Sequence, residues 1–200
     1  MIRVLIADDH EVVRDGLKRI LAASTDLQVA GEAADGDQAL ALVRAHDYDL
    51  AVLDLSMPGL SGLDLIKRLK IEKPALRVLV LSMHGEQQYA ARALKAGAAG
   101  YLTKDSASEQ LLVALRKIAA GGMHVSDAAA AQLITGAAGD GAPHTRLSDR
   151  EFEILKLLAA GGSPGEIARR LHLSVKTINT HKTHVQEKLG LANTDRKSVV

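Results

Sequence analysis

The chain has 200 residues, 47% hydrophobic and 24% charged, which is the composition of a folded globular protein and excludes a fibre or a disordered tail. It contains no cysteine, excluding a disulfide framework, a thiolate metal site and a Cys nucleophile. No apolar run approaches the roughly 18–20 residues of a membrane span, and Met1 to Leu5 meets acid at Asp8 with no signal-peptide plan, so a cytoplasmic protein with no membrane partner is expected.

The net charge of +1 is unevenly spread. Residues 1–122 hold 15 basic and 16 acidic groups, residues 123–143 only Asp127 and Asp140, and residues 144–200 ten basic against six acidic. A near-neutral front and a basic, His-rich back predict two modules with different partners, the basic one meeting nucleic acid.

The front module alternates strand and helix. Short apolar runs at residues 2–7, 27–30, 50–53, 78–81 and 100–102 read as buried strands of a parallel sheet. Between them, Val13, Leu17, Ile20 and Leu21 share a helix face, as do Leu111, Leu115 and Ile118. Asp35-x-x-Gln38 and Ser61-x-x-Asp64 resemble N-terminal caps. Five βα units in about 120 residues predict a doubly wound α/β domain with a five-stranded parallel sheet.

In such sheets the site lies beyond the carboxyl ends of the strands. Those ends carry Asp8 and Asp9, Asp54, Ser82 and Lys104. Three carboxylates on one rim repel one another unless a cation sits among them, and hard oxygen donors suit Mg²⁺. A carboxylate can also act as a nucleophile and form an aspartyl phosphate, with Lys104 and Ser82 supplying charge and a hydrogen bond. The same set is compatible with a Mg²⁺-dependent phosphohydrolase. That chemistry usually shows Asp-x-Asp on the nucleophile strand, whereas this chain has Asp54-Leu55-Ser56.

The motifs Val4-Leu5-Ile6-Ala7-Asp8-Asp9-His10, Asp54-Leu55-Ser56-Met57-Pro58-Gly59, Leu81-Ser82 and Gly100-Tyr101-Leu102-Thr103-Lys104 resemble the receiver domain of two-component response regulators. The resemblance implies that Asp54 accepts a phosphoryl group from a sensor histidine kinase. It implies Mg²⁺ held by Asp9, Asp54 and the backbone carbonyl of Ser56, with Asp8 acting through water. Ser82 and Tyr101 become a switch pair, and Ser56 and His84 occupy positions that tune phosphoryl lifetime. Many receivers have Pro after the lysine; here it is Asp105.

After residue 122 the chain turns Ala- and Gly-rich. Ser126 is placed to cap a short helix over residues 127–134, and residues 136–143 break all regular structure, giving a tether over 123–143.

Residues 144–200 read as a small all-α module. Ser148-x-x-Glu151 opens a helix with apolar Phe152, Leu155 and Leu158, ended by Gly161-Gly162. Ser163-Pro164-Gly165-Glu166 is a capping box with Pro at the first helical position, turning Ile167, Ala168 and Leu171 inward. A third helix ends at Gly190, with Val175, Ile178, Val185 and Leu189 on one face and Lys176, Thr180, Thr183 and Glu187 opposite. Two short helices around a tight polar turn read as helix-turn-helix, whose second helix enters the major groove. The DNA contacts expected are Lys176, Thr177, Asn179, Thr180, Thr183 and Lys182, the last needing to snorkel outward from nearer the buried face.

The motif Leu147-Ser148-x-Arg150-Glu151, with Ile167-Ala168-Arg169-Arg170-Leu171 and Ser174-Val175-Lys176-Thr177-Ile178-Asn179-Thr180-His181, resembles the DNA-binding domain of quorum-sensing and nitrate-response regulators. With the receiver, this implies a DNA-binding transcription regulator of the nitrate-response and nitrogen-fixation type, acting on double-stranded DNA as a homodimer when active. In that family a fourth helix follows, whereas residues 192–200 here carry no helical apolar stripe. The last helix is therefore expected to be cut short, leaving a receiver-mediated dimer as the fallback.

Overall fold

The structure is a computed structural model describing residues 1–57, 60, 62–82, 87–126, 130, 147, 149–171 and 173–190. The expected Ser61 and Ser148 caps, His84, the breaker run 136–143 and residues 192–200 lie outside the described residues, as does the helix at 127–134 apart from Ala130. The Ala130 N–H donates to the Ser126 carbonyl at 3.0 Å. The chain divides into two compact units, Met1–Thr135 and Gly136–Val200. Among the described residues no helix is long and apolar enough to cross a membrane.

The first unit runs β1 (Ile2–Ala7), α1 (Glu11–Ala22), β2 (Leu27–Ala33), α2 (Gly36–Ala45), β3 (Leu50–Asp54), α3 (Gly62–Glu72), β4 (Arg77–Ser82), α4 (Gln87–Lys95), β5 (Gly100–Thr103) and α5 (Ala107–Ala119). All strand pairs are parallel, in the order β2-β1-β3-β4-β5. Each predicted run is a strand, most one to three residues longer than the apolar stretch, because ladder hydrogen bonds continue into the polar residues at its ends.

The period of two in the strands splits the core into two layers. Val4, Ile6, Val52, Leu79 and Leu81 face α1 and α5, meeting Leu17, Leu21, Leu111 and Leu115. Leu5, Ala7, Leu53, Val78 and Val80 face α2, α3 and α4, meeting Leu40, Val43, Ile66 and Ala93. A sheet covered on both faces explains why its strands read as unbroken apolar runs. On α1 only Leu17 and Leu21 are buried; Val13 and Ile20 pack at the margin of the layer.

The Asp35 cap forms as expected, its carboxylate accepting from the Gln38 N–H at 2.7 Å. Gly36 follows because a Cβ there would sit 1.5 Å from the Leu60 carbonyl oxygen, closer than any side chain can approach. At the far sheet edge, the Tyr101 N–H donates to the His124 carbonyl and the His124 N–H to the Ala99 carbonyl, so His124 covers the open side of β5.

The second unit contains α6 (Asp149–Ala159), α7 (Pro164–Arg170) and α8 (Val175–Leu189). Its core is small: Ile154, Ile167, Ala168, Leu171 and Ile178, flanked by Leu157, Leu158 and Leu173. The expected inward face of α6 needs correcting, because Ile154 is fully buried with Phe152 while Leu155 is only half-buried. Val175 is likewise 47% exposed: it opens α8, one turn before the helix reaches the core at Ile178. Gly161 (φ 86°) ends α6 in the left-handed conformation that glycine adopts without a steric cost. The Ser163 capping box is complete: its hydroxyl accepts from the Glu166 N–H at 3.3 Å and the Glu166 carboxylate accepts from the Ser163 N–H at 2.9 Å.

Candidate phosphoacceptor pocket and helix-turn-helix

Strand register builds the first site. Ala7 pairs with Leu53, which sets Asp8 level with Asp54 on the adjacent strand. Asp54 pairs with Leu81, placing Ser82 one step further, and Ser82 pairs with Thr103, placing Lys104 just beyond. The Lys104 N–H donates to the Ser82 carbonyl at 2.8 Å, fixing the start of the lysine loop.

Lys104 joins the acids. Its Nζ lies 2.6 Å from Asp8 Oδ2 and donates to Asp54 Oδ2 at 2.9 Å, with both carboxylates buried and the Lys104 side chain 9% exposed. Asp54 Oδ1 accepts from the Ser56 N–H at 3.1 Å. Burial pushes the Asp54 carboxyl above its ordinary pKa; the Lys104 ammonium opposes this and Asp8 adds to it. Burial alone would depress Lys104, but its bonds to Asp8 and Asp54 outweigh that and hold the ammonium above its usual value. One cation thus serves two buried carboxylates, leaving the pocket with an excess of negative charge.

Asp9 sits at the mouth, and its partner is a residue with no expected role. His10 Nδ1 lies 2.9 Å from Asp9 Oδ1 and 3.3 Å from Asp8 Oδ1, while the His10 N–H donates to Asp8 Oδ1 at 2.9 Å. Arg14 donates to the Asp8 carbonyl at 2.7 Å, holding the loop from one turn into α1. Adjacency to the Asp pair was the signal in sequence; the ring's orientation depends on the loop.

Asp8, Asp9, His10 and Asp54 each offer a ligand atom, all within 4.8 Å of one another, a group able to hold a metal ion. Ser82 is buried at the end of β4, and Tyr101, on β5, is 7% exposed with its ring in the α2–α4 core layer.

The second site lies on α7, its connection and α8. The Ser174 hydroxyl caps α8 by accepting from the Thr177 N–H at 3.0 Å, and the Ser174 and Thr177 hydroxyls are 2.8 Å apart. Thr177 is thus half-buried in the cap, whereas Lys176, Asn179, Thr180 and Thr183 are exposed along one side of the helix. Thr180 and Thr183 donate to the Lys176 and Asn179 carbonyls, leaving their oxygen lone pairs to accept from outside. Lys182 is half-buried, as a snorkelling stem requires. Arg150 ties the unit together, bonding Glu153 at 2.7 Å and donating to the Leu171 carbonyl at 3.3 Å just after α7.

Residues 4–116 match the response regulator receiver domain, and residues 145–196 match the bacterial regulatory proteins of the luxR family. The chain is 39% identical over 198 residues to the oxygen regulatory protein NreC of Staphylococcus aureus, covering 94% of this chain and 91% of that protein. The chain belongs to the response regulators. Within them it pairs a receiver with a luxR-family helix-turn-helix, the plan of a transcriptional regulator whose receiver takes its signal from a histidine kinase. Among solved response regulators, it resembles RcsB of Salmonella enterica serovar Typhimurium bound to promoter DNA with a beryllofluoride phosphomimetic: TM-score 0.70, 32% identity, covering 96% of this chain and 94% of that one. A luxR-family regulator from an Aurantimonas species gives a TM-score of 0.62 at 34% identity, covering 67% and 96%.

Proposed function

We propose that Asp54 is the phosphoacceptor of this response regulator and that its modification controls DNA binding by α8. The observation that carries this reading is the buried Asp8–Lys104–Asp54 bridge, in which one cation compensates two carboxylates at the carboxyl edge of the sheet. A carboxylate oxygen of Asp54 attacks phosphorus, the bond from phosphorus to the kinase histidine nitrogen breaks, and the imidazole leaves with the electron pair. Lys104 then pairs with a phosphoryl oxygen, the Ser82 hydroxyl donates to another, and the Tyr101 ring in the adjoining core layer senses the change. The regulator is an acceptor that returns its phosphoryl group to water, not a turnover enzyme for outside substrates.

Mg²⁺ fits the donor chemistry, since Asp8, Asp9, Asp54 and the Ser56 carbonyl are hard oxygens in a pocket short of positive charge. Bound there, it neutralises phosphoryl oxygens during transfer.

In this reading residues 1–122 form the receiver, 123–143 the tether and 144–200 the reading module of a cytoplasmic regulator. Lys176, Asn179, Thr180, Thr183 and the Lys182 head meet double-stranded DNA in the major groove, with Thr177 fixing the helix start, and the active form is a homodimer. Intact mass after incubation with acetyl phosphate tests the acceptor. A single Mg²⁺-dependent phosphoryl adduct is expected in the wild type and none in Asp54→Ala, with operator affinity rising only in the former. An adduct that survives in a folded Asp54→Ala chain sinks the assignment.

A further inference from the structure

A second cluster of metal-ligating side chains lies outside both sites. Glu151, near the start of α6, is buried, and His181 and His184 stand three residues apart on one face of α8. One carboxylate oxygen and one ring nitrogen from each His lie within 4.8 Å of one another. His184 Nδ1 is 3.8 Å from Glu151 Oε1.

We propose that Glu151, His181 and His184 form a binding site for a divalent transition-metal ion, with Zn²⁺ the favoured occupant, joining α6 to the DNA-reading helix α8. Three observations support it. First, His181 Nδ1 is buried and has no hydrogen-bond partner among the described residues, a rare condition for a polar atom and one that ligation of the ring would explain. Second, two imidazoles and one carboxylate are a borderline donor set that suits Zn²⁺ and leaves a fourth position for water, whereas Mg²⁺ prefers the oxygen-rich receiver pocket. Third, a cation is already accommodated: Lys188 Nζ lies 2.9 and 2.7 Å from the two Glu151 oxygens. Lys188 is 42% exposed along its side chain, so it can swing into solvent when a dication takes its place.

Lys188 is therefore a built-in competitor, and the ion links two helices that the ammonium bridge now links more loosely. Fixing α8 against α6 stabilises the unit and holds its exposed Lys176–Thr183 side in one orientation.

The full chain is titrated with Co²⁺ in saturating Mg²⁺, which occupies the oxygen-rich pocket. The expected result is a visible d–d spectrum of low-coordinate Co²⁺ at one equivalent, displaced by Zn²⁺, with Zn²⁺ raising the melting temperature of the second unit. His184→Ala, at an exposed position, and His181→Gln each weaken binding by at least the roughly 10–100-fold that loss of a ligand's supporting bond costs. Lys188→Ala tightens it. Far-UV circular dichroism checks that every variant is folded, and His184→Ala keeps the test open if His181→Gln unfolds. The site is disproved by a missing spectrum, by one that survives both folded histidine variants, or by one abolished by Asp9→Asn, which would place the ion in the receiver. Unchanged affinity in folded Lys188→Ala overturns the competition.

Discussion

The receiver pocket and the reading helix solve opposite problems with similar residue types. In the pocket, Asp8 and Asp54 are buried and Lys104 nearly so, and each charge is held by another charge. On α8, Lys176, Asn179, Thr180 and Thr183 are exposed, and the two threonines spend their hydroxyl protons on their own helix. A buried site concentrates electrostatic energy in a few bonds, so removal of its one cation is costly and a new charge is strongly felt. An exposed site spreads weak contacts over a rigid rod, so its precision comes from the packing beneath. In the proposed reading one region is a sensor of charge, the other a ruler.

Breaking the pocket should therefore produce a large effect. Lys104→Met leaves Asp8 and Asp54 buried without their cation, and chemical denaturation at pH 8 without Mg²⁺ should show a loss of about 3 kcal/mol, near the low end for a broken buried pair. Added Mg²⁺ should recover most of it, because the ion replaces the missing charge. A loss indifferent to Mg²⁺ would mean the lysine matters for packing rather than for charge.

The ruler is broken from beneath. Ile178 is fully buried where α8 meets Ile154, Ile167, Ala168 and Leu171. Ile178→Ala should destabilise the second unit by about 2–5 kcal/mol and abolish operator binding while phosphoryl uptake at Asp54 continues. Loss of both activities together would show that the two units do not fold independently.

Asp54→Asn sharpens the comparison with the opposite sign. Burial holds the folded Asp54 pKa above the ordinary value of about 3.9, so the folded state binds the proton more tightly than the unfolded chain. Stability is therefore lost as pH rises through that raised value. Without Mg²⁺, Asp54→Asn should be more stable than wild type at pH 7–8, and the gap should close as pH falls below about 4. Urea midpoints at the two pH values measure it. A gap independent of pH would locate the effect in packing.

Legibility differed between the regions for physical reasons. The receiver's strands are buried on both faces, so their apolar runs stand out, and parallel topology alone brings the residues after β1, β3, β4 and β5 to one rim. Asp8, Asp54, Ser82 and Lys104 follow from that rule. What did not follow is His10 turning its ring to Asp8 and Asp9, or Arg14 holding the Asp8 carbonyl, since both depend on a loop conformation rather than a period. In the second unit the cap at Ser163 was local and readable in type. The Glu151–Lys188 bridge spans 37 residues and joins two helices, so no spacing announces it.

Val175 supplies the smallest and most diagnostic test. By angle alone it shares a stripe with Ile178 and Val185, yet it is 47% exposed while they are buried. The period gives direction around a helix but not distance along it. At the first residue of α8 the inward direction points past the end of the core. Val175→Ala should change stability by no more than about 0.5 kcal/mol, as surface substitutions do, against the several lost at Ile178. Helix propensity favours the alanine slightly, so a small gain is the expected sign. A loss comparable to that at Ile178 would show that Val175 is covered in the folded chain, and the reading helix would then begin inside the core rather than beyond it.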